Sequence, residues 1–140
     1  MKKLIGCIMA LLFVGAITGV CFAAELGPVV SMGTPLVKMA GKKTAGVVIM
    51  GTGFKPGQEV RILIITQDGV ETDIWSRMKP APKADATGTW ASTWNAGQYV
   101  SRKLIKDGVY KIAATDDNYI LIAHAPIFFQ KPKKDKGKKK

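Results

Sequence analysis

The chain has 140 residues and a formal net charge of +11, from 21 Lys and Arg against 10 Asp and Glu, with two cysteines and one histidine. One histidine and a cysteine pair confined to the first residues leave no ligand set for zinc, which takes three or four His, Cys or carboxylate ligands. No metal or cofactor is expected, and stability has to come from burial rather than from disulfides.

The first segment places Lys2 and Lys3 before an apolar run from Leu4 to Val20, followed by Cys21-Phe22-Ala23-Ala24-Glu25. A basic start, an apolar stretch and small residues at Cys21 and Ala23 read as a secretory signal peptide over residues 1–23, cut after Ala23 or one residue later. A retained membrane anchor competes, since the run approaches the roughly 20 apolar residues that a span needs. A lipoprotein cysteine at Cys21 is a third reading, weakened by the bulky Val20 next to the cut. Cys7 and Cys21 both fall in the leader, so the processed chain of about 117 residues carries no thiol, a size at which one domain can bury its own core.

Residues 24–130 are read as one domain. Short strands are expected around Val29 and Val30 and from Leu36 to Met39, and a firmer one from Gly46 to Gly51, β-branched and bounded by glycine. Pro56-Gly57 suits the centre of a type II turn. The surrounding glycines are not a dinucleotide fingerprint, because Pro56 stands where the last glycine belongs, and Gly41-Lys42-Lys43-Thr44 lacks the first glycine and the Ser/Thr of a phosphate loop. From Glu59 to Thr66, Val60, Ile62 and Ile64 alternate with Leu63 and Ile65, which predicts a strand covered on both faces. Asp68-Gly69 then turns the chain into a return strand from Val70 to Trp75.

Met78 to Ala86 reads as a loop, and Thr87 to Trp94 as a strand that points Trp90 and Trp94 to one face, toward the core. Asn95 to Lys106 links onward and is expected to carry Leu104 inward. Two further strands follow, Val109 to Thr115 and Tyr119 to Phe129, joined at Asp116-Asp117-Asn118. No stretch shows sustained helical period. Seven or eight short strands separated by turn signals predict an all-β antiparallel sandwich.

Three elements in order carry a family resemblance: Gly51-Thr52-Gly53-Phe54-Lys55-Pro56-Gly57, then Gly88-Thr89-Trp90, then Asp107-Gly108-Val109-Tyr110. Together they resemble the bacterial immunoglobulin-like modules of the fibronectin type III and transcription-factor-immunoglobulin kind. The resemblance implies an immunoglobulin-like sandwich of about seven strands, with Leu104, Asp107 and Tyr110 as a tyrosine corner. In such a corner the phenol body fills the edge of the core while its hydroxyl bonds to upstream backbone. The chain departs from antibody domains in lacking the cysteine pair and from fibronectin type III in lacking a proline between Leu104 and Tyr110.

Chemistry for an enzyme is thin. His124 would have to meet Ser31, Ser76, Ser92 or Ser101, none of which sits in a nucleophile-elbow context. Asp116, Asp117 and Asn118, and Asp68, Glu71 and Asp73, offer oxygens for calcium without the spacing of an EF-hand. The expectation is therefore a non-enzymatic, exported binding or assembly module of the bacterial cell envelope, periplasmic or at the surface, whose partner is an envelope protein or glycan. The alternative is a carbohydrate-binding module that uses Trp75 and Tyr99 as exposed rings.

Charge is concentrated at the C-terminus. Residues 131–140 hold seven lysines, Lys131, Lys133, Lys134, Lys136, Lys138, Lys139 and Lys140, against one aspartate, a net +6, while residues 24–130 carry only +3. Such a segment cannot bury a core, and it reads as a disordered tail that contacts anionic lipid or lipopolysaccharide phosphate. Export makes nucleic acid a poor natural partner, and oligomeric state is not legible.

Overall fold

The computed structural model describes residues 26–133. The predicted leader and the tail lysines Lys134, Lys136, Lys138, Lys139 and Lys140 lie outside those residues.

The protein is an all-β sandwich. In chain order its strands are β1 (Val29–Met32), β2 (Leu36–Lys38), β3 (Val47–Thr52), β4 (Arg61–Ile65), β5 (Glu71–Asp73), β6 (Met78–Lys79), β7 (Trp90–Trp94), β8 (Gly108–Thr115) and β9 (Leu121–Gln130), with a short helix α1 (Gly97–Ser101) between β7 and β8. One sheet runs β1-β3-β7-β6 and the other β2-β9-β8-β4-β5. Every pairing is antiparallel except β2 with β9, which is parallel. The expected all-β sandwich is present, with nine strands rather than about seven and one parallel edge pair in an otherwise antiparallel arrangement. β2 is a three-residue edge that reaches the second sheet only because the chain crosses over after β1, a non-local event without a local signal.

Alternation decides which side chains meet between the sheets. Val47 and Ile49 on β3, Trp90 and Trp94 on β7, Ile62 and Ile64 on β4, Ile112 and Ala114 on β8, and Ile127 and Phe129 on β9 are all buried. Trp94 is fully enclosed, with its ring edge-on to Phe129 of the opposite sheet at 6.3 Å and to Tyr99 of α1 at 5.2 Å. Leu63 and Ala113 are buried on the other face of the second sheet, so β4 is covered on both sides as its sequence predicts.

The turns follow their residues. Gln58 N–H donates to the Lys55 carbonyl at 3.0 Å with Gly57 at φ 76°, the geometry that Pro56-Gly57 encodes. Two of the sequence elements that carried the family resemblance form a single unit. Phe54 N–H donates to the Gly88 carbonyl at 3.1 Å, and the Phe54 ring meets Trp90 edge-on at 5.8 Å. Beside them Asp85 organises the turn into β7: its Oδ1 accepts from Thr87 Oγ1 at 2.6 Å, Thr87 N at 2.8 Å and Thr89 N at 3.0 Å. These donors, the Thr87 hydroxyl foremost, hold the Asp85 carboxyl below its ordinary pKa.

Three local expectations are corrected. Trp75 does not belong to the return strand; β5 ends at Asp73 and Trp75 opens a 3-10 turn through Arg77. The loop from Met78 begins with a two-residue strand against β7. The link between β7 and β8 contains α1, a helix too short for its period to register in the sequence.

Candidate functional site

The tyrosine corner residues divide. Tyr110 packs edge-on to Phe129 at 5.5 Å, and its hydroxyl accepts from Lys106 N–H at 2.8 Å. Asp107 Oδ1 accepts from Lys131 N–H at 2.8 Å and so ties the exit of β9 to the entry of β8. Leu104, expected to point inward, is 61% exposed, and its neighbour Ile105 is the buried residue at 3%. The reason lies in how α1 ends. Leu104 N–H donates to Tyr99 O at 2.9 Å and Lys103 N–H to Val100 O at 3.1 Å, with Lys103 at φ 59°. That is a Schellman turn, and it swings Leu104 out before the chain re-enters at Ile105. Replacing Tyr110 by Phe removes only the hydroxyl and leaves the Lys106 amide to solvent. Stability should fall by about 1 kcal/mol, measurable by urea titration.

Trp75 and Tyr99, named together as exposed rings, do not form a platform. Tyr99 is partly buried against Trp94 and lines a small depression with Arg77, Gln98, Arg102 and Leu104. Trp75 lines a separate depression of about 290 Å³ with Glu59, Arg61, Pro82 and Lys83. Trp90 and Trp94 are core residues, and neither indole Nε1 has a hydrogen-bond partner.

What Trp75 does meet is a cation. The Arg61 guanidinium lies 4.8 Å from the centroid of the Trp75 ring and 5.3 Å from that of Tyr119, so it is flanked by two aromatics. Arg61 Nη1 donates to the Tyr119 hydroxyl at 3.4 Å, which donates to Asp73 Oδ2 at 3.4 Å. Asp73 Oδ1 in turn accepts from Trp75 N–H at 3.0 Å. The four residues come from β4, β5, the 3-10 turn and the β8–β9 hairpin. Exposed Ile120 and Leu121 follow Tyr119 directly.

The hairpin carrying Tyr119 has an internal comparison. In the β4–β5 hairpin, Gly69 N–H donates to Thr66 O, Thr66 N–H to Val70 O, and Gly69 takes φ 83°. In the β8–β9 hairpin, Tyr119 N–H donates to Asp116 O, Asp116 N–H to Ile120 O, and Tyr119 takes φ 62°. These are the same three-residue loop, in which the third residue must be left-handed and glycine is the unstrained choice. One hairpin uses glycine and the other holds a tyrosine there, at a cost of about 1–2 kcal/mol. Asp116 Oδ1, accepting from Asn118 N at 2.8 Å and Ile120 N at 2.9 Å, secures the loop. Arg61 and Tyr119 belong to no sequence motif. Arg61 had a signal, the outward position between Val60 and Ile62, but Tyr119 had none.

His124 is exposed on the outer sheet face, where it lines an open groove of about 720 Å³ with Ile65, Lys111 and Pro126. Ser92 is buried and donates to the Pro80 carbonyl. Among the described residues no group of three or more His, Cys, Asp or Glu side chains could hold a metal ion, and no helix is long and apolar enough to cross a membrane.

No protein-family model matches the chain, and no curated protein matches it. Among solved structures it is similar to a tetra-tandem repeat in the extending region of a large adhesion protein, at 17% identity and a TM-score of 0.36. The match covers 72% of this chain and 24% of that one, so the chain spans about a quarter of the length of the solved repeat segment it matches.

Proposed function

We propose that this chain is a non-enzymatic, exported immunoglobulin-like module of the bacterial cell envelope. It binds a protein partner through the corner formed by Arg61, Trp75 and Tyr119, and the Lys-rich C-terminal segment adds contact with polyanions. The strand order supports the immunoglobulin-like reading. β1-β3-β7-β6 corresponds to strands A, B, E and D, and β9-β8-β4-β5 to G, F, C and C′. The observation that carries the binding site is the left-handed Tyr119. A strained, exposed aromatic persists where glycine would fold as well, and backbone strain of this kind concentrates at functional positions. Trp, Tyr and Arg are also the residues that dominate protein interfaces. The sugar-binding alternative has less support, because Arg61 lies over the Trp75 ring and Tyr99 lines a different depression.

Tyr119→Gly separates binding from folding. The variant relieves the left-handed strain and loses ring contacts, so its stability should stay within about 1 kcal/mol of the parent. Capture of the partner from envelope extract should weaken by about thirty-fold, the effect of a hot-spot residue. Equal capture by a stably folded Tyr119→Gly chain would remove this corner as the binding site.

A further inference from the structure

We propose that the end of the sandwich where β9 exits is a docking surface for an anionic lipid bilayer, with Leu104 entering the headgroup region amid a ring of cations on the folded domain. The inference rests on the polyanion-contact part of the reading above and moves that contact from the C-terminal segment onto the sandwich itself.

Separate segments deliver the cations. Arg102 and Lys103 follow α1, and Lys106 precedes β8. The Lys42 carbonyl abuts Gly97 at the start of α1, which brings the Lys42-Lys43 turn to the same end. Lys131 is held there by the hydrogen bond from its backbone N–H to Asp107 Oδ1, and Met39 N–H donates to Gln130 O at 2.8 Å. All these cations are exposed. The acids toward this end are Asp68, Asp107 and Glu71 at the start of β5, and the turn acids Asp85, Asp116 and Asp117 lie at the opposite end of the strands.

Leu104 selects a bilayer over a soluble polyanion. It is 61% exposed, and the backbone that presents it passes through Lys103 in the left-handed region, where glycine is the usual occupant. A strained turn that displays an apolar side chain between Lys103 and Lys106 offers nothing extra to a dissolved anion. At a membrane the leucine leaves water for the acyl boundary while the lysines face lipid phosphates.

The test uses the purified, exported chain and three probes: vesicles of phosphatidylcholine and phosphatidylglycerol at three to one, vesicles of phosphatidylcholine alone, and soluble polyphosphate. Leu104→Ser should weaken binding to the mixed vesicles by about ten-fold and leave polyphosphate binding unchanged. Lys103→Gly with Lys106→Gln should weaken vesicle binding by about twenty-five-fold, at roughly five-fold per charge, with an unaltered circular dichroism spectrum because glycine suits the turn. Unchanged vesicle binding in both variants overturns the inference. If neutralising Lys136, Lys138, Lys139 and Lys140 to Gln then abolishes binding, the terminal segment alone makes the contact. Equal loss of vesicle and polyphosphate binding in Leu104→Ser also overturns it, in favour of a soluble polyanion. A parent chain that binds neither the mixed vesicles nor polyphosphate removes the polyanion reading as well.

Discussion

Trp94→Ala should destabilise the domain by about 3–5 kcal/mol, the cost of deleting a buried aromatic whose cavity cannot collapse. Trp94 is fully enclosed, and it touches three parts of the structure at once: β7 by its backbone, Phe129 of the opposite sheet and Tyr99 of α1 by its ring. The domain has no thiol after Cys21 with which to offset the loss. Since domains of this size are stable by only about 5–15 kcal/mol, the variant should melt at least 15 °C lower or fail to accumulate. Trp94→Phe is the informative control. It gives up part of the ring volume but also removes an indole N–H that is buried without a partner, a group that costs about 1–3 kcal/mol. The Phe variant should therefore lose less than half of what the Ala variant loses in a urea titration. Equal losses would mean that the polar end of the indole is satisfied.

Gly88→Ala should cost about 2–4 kcal/mol, although it adds only a single methyl group at a buried turn glycine. Gly88 takes φ 77°, a conformation that alanine resists. A Cβ built there would also collide with the Phe54 carbonyl. That neighbour is backbone and cannot rotate away, and Phe54 N–H is itself bonded to the Gly88 carbonyl. Relief therefore requires the β3–β4 connection to separate from the turn into β7, which withdraws Phe54 from Trp90. Thermal melting monitored by tryptophan fluorescence would report both the lower transition and the altered Trp90 environment. A shift under 3 °C would show that the turn relaxes more freely than this geometry allows. Gly57→Ala provides the contrast: it shares a positive φ of 76°, but a Cβ there meets nothing within 4 Å, so only the conformational part of the cost remains.

The division between sequence and tertiary structure follows the range of the interactions involved. Period-two alternation in Val60 to Ile65, the shared parity of Trp90 and Trp94, and Pro56-Gly57 and Asp68-Gly69 at the turns act over a few residues. The all-β class, most strand positions and the identity of the core were therefore legible by themselves. Leu104 and Ile105 could not be told apart in this way, because which of them enters the core depends on the handedness of one residue, Lys103, at the end of a helix too short to predict. The parallel seat of β2 beside β9 likewise depends on residues more than eighty positions away. The Arg61, Trp75 and Tyr119 corner is the extreme case. Its members belong to three separate segments, and Arg61 and Tyr119 lie 58 residues apart. Their meeting is set by the register of β4 against β8 and by a hairpin that holds a tyrosine where glycine would fold more easily. Local preference could have specified neither, since it favours glycine at that turn, and only the packed sheets bring the guanidinium between the two rings.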